Sequence, residues 1–275
     1  MTTTTPQTRL VLTRDEVLAL LQAMGASGIN GMDPEPLKGL SEKEATERLN
    51  SGAQTLLNRG LVQYEGEDTL KIDSTALALV GACVVPDATL LIAISAPDGV
   101  LEPRFFNATP SVLVEQSSPR PGVFAFEYLQ DGAAMRVRIQ EVVAAAWANP
   151  ALASAAAIEL SDAALTDTLT RARAGDVAGA ERALVQAGAN PDSARQCATA
   201  ISQANLFTGL VAWGLRNETP AGNDSLIVVN APAGNWLIQP VPNTQKLIAR
   251  PAAGPDCERA MLSLTAALER SHART

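Results

Sequence analysis

Histidine is nearly missing from this 275-residue chain, with His272 the only one. That excludes a His-based nucleophilic triad and removes the commonest zinc ligand. Cysteine is sparse as well. Cys83, Cys197 and Cys257 lie far apart, with no CxxC or other ligand spacing, so they read as buried thiols in a reducing compartment. Cations are outnumbered, 21 Lys+Arg against 29 Asp+Glu, and a net charge of −8 argues against a general polyanion binder. Neither GxxxxGK nor a GxGxxG opening a helix after a strand occurs, so no phosphate cradle is encoded. Long hydrophobic runs are missing too. The most apolar-looking stretch, 142–158, is mainly alanine and is broken by Asn149-Pro150, whereas a membrane span needs about 20 strongly apolar residues. The opening MTTTTPQTRL has no apolar leader core and reads as a disordered tail over residues 1–9. The expectation is a cytoplasmic protein with no cofactor, no metal, no nucleic-acid partner and no membrane contact.

What is present is a pattern of helices and short strands. Thr13 with Glu16 forms a capping box before an apolar stripe (Val17, Leu18, Leu20, Leu21, Met24) that Gly25 stops. Ser41 with Glu44 opens a second helix over 42–58, its inward face Ala45, Leu49, Ala53, Leu56 and Leu57. A short ribbon around 61–62 and 70–72 follows, completing a winged-helix-like start. After a helix near 74–80 the period changes. Runs at 89–95, 101–106, 111–116, 122–128 and 135–139, separated by short turns, predict an antiparallel meander, and 140–148 reads as a helix.

The second half repeats the theme. Three helices are expected from Ser161 to Arg173, from Asp176 to Gly188 and from Asp192 to Gln203, the last with Pro191 in its first turn. Strands follow at 206–215, 225–230, 235–239 and 246–249, then a closing helix at 259–270. The same order of helices, meander and helix thus appears twice. We read it as a diverged internal duplication within an α+β fold, although two unrelated α+β halves would give a similar text. The expected architecture is quasi-two-fold, a central antiparallel β-sheet flanked by two helical bundles. The halves divide at residues 10–150 and 151–275 and share one sheet.

Carboxylates cluster at Asp15-Glu16, at Glu42/Glu44/Glu47 and at Glu65/Glu67/Asp68. The first two lie in helix first turns, where the dipole favours negative charge, and the third resembles no calcium loop. Nothing supports hydrolysis, hydride transfer or metal catalysis. Residues 10–75 carry six Lys/Arg against eleven Asp/Glu, a charge that a duplex would repel. Phe105, Phe106, Trp147, Trp213 and Trp236 sit in patterns where core packing is the simplest reading. The turn Pro97-Asp98-Gly99-Val100-Leu101 differs, because it sets apolar residues beside a reverse turn at a strand end, a position that more often binds than packs.

This layout, together with Leu12-Thr13-x-Asp15-Glu16 before an apolar helix and SLIVVNAPAGNWL at 225–237, resembles the EspG family of type VII (ESX) secretion-associated chaperones. The resemblance implies a non-enzymatic protein that keeps aggregation-prone PE–PPE clients soluble by gripping a helical tip. It also implies that a loop between strands of the first half and the second-half bundle hold the client together. On position, that loop is the exit turn of the 89–95 strand, which makes Pro97, Asp98, Gly99, Val100 and Leu101 the candidate partner-binding residues. A regulatory protein using its winged helix for oligomerisation or DNA contact is the alternative, and an enzyme with an unrecognised carboxylate site a third.

Overall fold

Each half begins with a strand that leads directly into a capped helix. The computed structural model describes residues 8–65, 70–96, 99–144, 147, 154–214 and 224–272. The first half runs β1 (Arg9–Thr13), α1 (Arg14–Ala23), α2 (Glu42–Asn58), β2 (Val62–Tyr64), β3 (Leu70–Ile72) and α3 (Ser74–Val84). The meander β4 (Ala88–Ala96), β5 (Gly99–Ala108), β6 (Leu113–Arg120), β7 (Val123–Leu129) and the helix α4 (Gly132–Ala144) complete it. The second half runs β8 (Ile158–Ser161), α5 (Asp162–Arg173), α6 (Val177–Gln186), α7 (Pro191–Ser202), β9 (Leu206–Gly214), β10 (Asp224–Asn230), β11 (Asn235–Pro240), β12 (Lys246–Ala252) and α8 (Gly254–His272).

Ten of these strands form one antiparallel sheet in the order β1-β7-β6-β5-β4-β9-β10-β11-β12-β8. Read outward from the β4–β9 pair, both halves give the same succession: three further meander strands, then the half's own first strand. The quasi-two-fold axis falls at the cross-strand pair Ile92–Leu210, both fully buried. Pairing registers lay the halves on each other residue by residue. Leu10 and Leu12 match Ile158 and Leu160, and Thr13 matches Ser161, each capping the helix that follows.

The period-two alternation of strands separates two cores. On one face, α4 and α8 cover Leu90, Ile92, Leu113, Leu129, Leu210 and Leu237 with Met135, Ile139, Met261 and Leu268. On the other, Val114, Phe124 and Phe126 pack against α1, α2 and α3. Trp236, Ile238 and Val229 pack against α5, α6 and α7 at the opposite end of that same face. The winged-helix order of α1, α2, ribbon and α3 is thereby one of the two bundles.

Three local expectations need correction. Residues 135–139 are helix, not strand. Met135, Val137 and Ile139 alternate with arginines, which mimics period two, yet Met135 and Ile139 are also one helical turn apart. Asp131 decides the matter, its Oδ1 accepting from the Ala134 N–H at 2.8 Å, and Val137 is left 55% exposed on the outer face. Strands β1 and β8 have no counterpart among the expected elements, because five and four residues are too few for a periodicity to stand out. Arg9 already belongs to β1. The closing helix is also longer than expected, running from Gly254 rather than from Arg259.

The first bundle is stitched by one carboxylate. Glu16, almost fully buried, accepts from the Thr13 N–H at 2.7 Å and the Thr13 hydroxyl at 2.8 Å, and takes the Arg59 guanidinium at 2.6 Å. Arg59 caps the far end of α2, so a local capping box also ties two helices together. At their crossing a Cβ on Gly52 would stand 2.1 Å from the Asp15 carbonyl oxygen, so only glycine allows this approach.

Candidate functional site

The turn singled out from sequence is the β4–β5 hairpin. Ser95 pairs with Val100 and Ala96 with Gly99, with a bulge at Ile94/Ser95. Pro97 and Asp98 lie outside the described residues, as do the side chains of Val100 and Leu101, and Gly99 is exposed. What the sheet fixes is the hairpin's neighbourhood. Ser95 pairs on its other side with Phe207, the second residue of β9. Phe207 is buried in the second bundle's core, and the Arg173 guanidinium from the end of α5 sits 4.4 Å above its ring. A first-half hairpin and the second-half bundle are therefore adjacent, brought together by the β4–β9 pair.

Between the two bundles the sheet is incompletely covered. On the bundle side of β4 and β9, Leu91, Ala93, Gly209 and Trp213 are half-buried, and Val211 is 40% exposed. These positions alternate with Leu90, Ile92, Leu210 and Ala212, all sealed under α4 and α8. The floor of the saddle was not identified from sequence. Its signal was present, because the run TLLIAIS is apolar at both parities and so asks for cover on both faces. Of the aromatic residues expected in the core, Phe106 and Trp236 are fully buried, Trp147 and Phe105 nearly so, and Trp213 lines the saddle. Gly31, at φ +74°, lays its loop flat on Phe105, where a Cβ would come within 2.6 Å of the ring.

The titratable groups are structural in their surroundings. Among the described residues no three His, Cys, Asp or Glu side chains gather as a metal site would need. Burial pushes the Cys83 thiol far up, Cys197 up to about 12 and, with Asp256 beside it, Cys257 up to about 11. None supplies a thiolate near neutral pH. Cys83 instead accepts from Asn107 at 3.4 Å, and Asn107 accepts from the Thr89 hydroxyl at 2.9 Å. The two cations of α2 are both paired within the protein: Lys43 lies 3.8 Å from Glu47 and Arg48 4.0 Å from Asp15. Glu67 and Asp68 of the third acidic cluster lie outside the described residues.

One polar cluster escaped the sequence reading. Glu115, buried in β6, faces both Arg104 on β5 and Arg138 on α4, the latter at 2.6 Å. Its hydrogen bonds to Glu115 hold the Arg138 guanidinium more firmly protonated still. The quasi-two-fold sets these three residues on Leu226, Leu237 and Ala260. Where the charged group closes the first half to a niche of 130 Å³, the second half has a 510 Å³ cavity lined in part by Leu226, Gln239, Ala260 and Ser263.

No helix among the described residues is long and apolar enough to cross a membrane. No protein-family model matches the sequence, and no curated protein matches it. Among solved structures, the chain is similar to the Mycobacterium tuberculosis type VII secretion system chaperone EspG5, solved in complex with the PE25–PPE41 dimer. The match covers 94% of this chain and 95% of that one with a TM-score of 0.66, at 11% sequence identity. By its architecture, the chain has the EspG fold.

Proposed function

We propose that this protein is a cytoplasmic, non-enzymatic chaperone that holds a helical, PE/PPE-like client in a soluble state. The client seats on the saddle, between the β4–β5 hairpin and the second bundle. The observation carrying this reading is the adjacency of that hairpin to α5 and β9 over a half-exposed apolar sheet face. The likeness to a chaperone solved with a PE–PPE dimer supports it. A helical tip fits such a seat, because its end presents a few apolar side chains over a small footprint, and a central apolar contact is typically worth about 1–3 kcal/mol. Pro97, Asp98, Gly99, Val100 and Leu101 form the hairpin side of the grip, and the saddle around Val211 forms its floor.

The test uses tagged wild-type protein and Val211→Asp, each expressed in the native organism and captured, with bound proteins identified by mass spectrometry. PE/PPE-like helical proteins should be enriched by the wild type and depleted at least tenfold by the variant, at an unchanged melting temperature. Enrichment of no such protein, or equal enrichment by both, refutes the reading.

A further inference from the structure

The two margins of the ten-stranded sheet are built differently, and one of them is closed. Alternation fixes which backbone groups of β1 point out of the sheet. The Thr8 carbonyl accepts from the Tyr128 N–H at 3.0 Å, and the Arg14 N–H reaches the Gly122 carbonyl at 2.8 Å. Leu10 and Leu12 therefore bond to β7, while Val11 and Thr13 turn their N–H and C=O groups outward. Side chains then occupy two of these groups. The Thr13 N–H donates to Glu16 at 2.7 Å, and the Val11 carbonyl accepts from the Arg59 guanidinium at 3.0 Å. An arriving strand meets a sealed edge.

Strand β8 has the same outward groups and no such seal. The Lys246 carbonyl faces β11, accepting from the Val241 N–H at 2.8 Å, so Leu247 and Ala249 face β8. Their partners Leu160 and Ile158 carry the ladder bonds, which turns the backbone of Glu159 and Ser161 outward. On the quasi-two-fold, Glu159 stands for Val11 and Ser161 for Thr13. Glu16, however, is matched by Ala164, and Arg59, the C-cap of α2, by Ala187, the C-cap of α6. Among the described residues nothing donates to the Glu159 carbonyl or accepts from the Ser161 N–H. Both residues are exposed, and the Glu159 carboxylate is matched by Lys246 at 2.9 Å, so the strand itself presents no unpaired charge.

The length of β8, four residues, decides what can cover it. A flexible peptide loses more backbone entropy per residue ordered than one net hydrogen bond returns, and so short an edge offers few bonds to offset the loss. A strand already held in a sheet has lost that entropy on folding. In a second copy of this chain β1 is such a strand but is sealed, which also prevents head-to-tail growth into filaments. The second copy's own β8 is open. We propose that two copies join β8 to β8, antiparallel about a two-fold axis, as a closed dimer. Centred on Leu160, the pairing sets the Ser161 N–H of each copy against the Glu159 carbonyl of the other and keeps the two Glu159 carboxylates from standing opposite each other. Strands this short bury less than a stable dimer needs, so the association is reversible and concentration-dependent. The saddle lies over β4 and β9 at the centre of the sheet, so the dimer does not rest on the client reading.

Sedimentation equilibrium on the full-length protein, from low micromolar to about 500 µM, tests this. The wild type should show a monomer–dimer equilibrium with a Kd of about 10–200 µM. Ala164→Glu with Ala187→Arg installs the first half's seal and should weaken dimerisation at least tenfold at an unchanged melting temperature. Glu159→Pro removes an outward N–H while leaving the ladder with β12 intact, and should do the same. Should either variant lose its fold, the other decides. Val211→Asp, in the saddle, should dimerise as the wild type does. A wild type that stays monomeric throughout overturns the proposal, as does wild-type affinity in a folded sealed or Glu159→Pro variant. Growth beyond the dimer would refute the closed two-fold.

Discussion

Glu115→Leu should destabilise the protein by about 3–5 kcal/mol, because it strips the shared carboxylate from two partly desolvated guanidiniums. Glu115 is only 2% exposed, while Arg104 and Arg138 are 24% and 30% exposed, so water offers limited compensation. The quasi-two-fold supplies the natural control. At the matching positions the second half places Leu226, Leu237 and Ala260, and that half folds around them with a cavity. Adding Arg104→Leu and Arg138→Ala to Glu115→Leu converts the first half to the second half's solution. The triple variant should recover at least half of the stability that the single variant loses, since removing a whole buried ionic group is far cheaper than orphaning part of it. Thermal unfolding reads this directly. At about 2–4 °C per kcal/mol for a chain approaching this size, the single variant should melt roughly 10 °C lower. Urea titration gives the free energies independently. A single variant as stable as wild type, or a triple variant no better than the single, refutes the argument.

Four further outcomes are expected. Gly52→Ala should destabilise the first bundle by about 1–3 kcal/mol in urea despite alanine's better helix propensity, since α1 and α2 must move apart to admit the Cβ, and a stabilised variant would show the crossing to be loose. Burial pushes the Glu16 carboxyl up, but the Thr13 N–H, the Arg59 guanidinium and the Thr13 hydroxyl together hold it below its usual range. Its stabilising effect is therefore present above the unfolded value of about 4.3 and is lost as pH falls through the lowered folded value, so the melting-temperature gap between wild type and Glu16→Gln should close on acidification; a constant gap counts against it. Leu101→Asp should weaken client capture strongly with little change in melting temperature, whereas large destabilisation with intact binding would place Leu101 in the core instead. Finally, Cys83, Cys197 and Cys257 should all resist a thiol reagent at pH 8 in the native protein and react on unfolding; a fast native phase would contradict their burial.

Much of the fold was legible because local signals agreed with tertiary ones. Both capping boxes, the Pro191 start of α7 and the apolar strand runs mark their elements in the sequence, and the repeated order announces the quasi-two-fold. The short outer strands were not legible, since RLVLT and IELS gain meaning only from partners far along the chain. Arg136 and Arg138 disguised α4 for a related reason: the alternation that suggested a strand came from charges whose partners, Glu269 and Glu115, are distant in sequence. The candidate hairpin was found by its turn residues. The saddle beside it was not, because whether an apolar strand face is covered depends on where helices end up, and no local pattern encodes that.

The placement of β1 and β8 at the two margins of the sheet has a consequence for synthesis. Leu12 finds its partner Phe124 only after about 110 further residues have been made, and Leu160 waits similarly for Leu247. At about 5–20 residues per second the first delay lasts roughly 5–20 s, during which an apolar strand has no place to go. Each hairpin of the meanders can close as it leaves the ribosome, but the outermost strand of each half is the last to be sewn in although it was the first to be made. The nascent chain thus passes twice through a stage in which an open sheet margin and its missing strand coexist. A protein whose proposed task is to shield others from aggregation must cross the same hazard while it is being born.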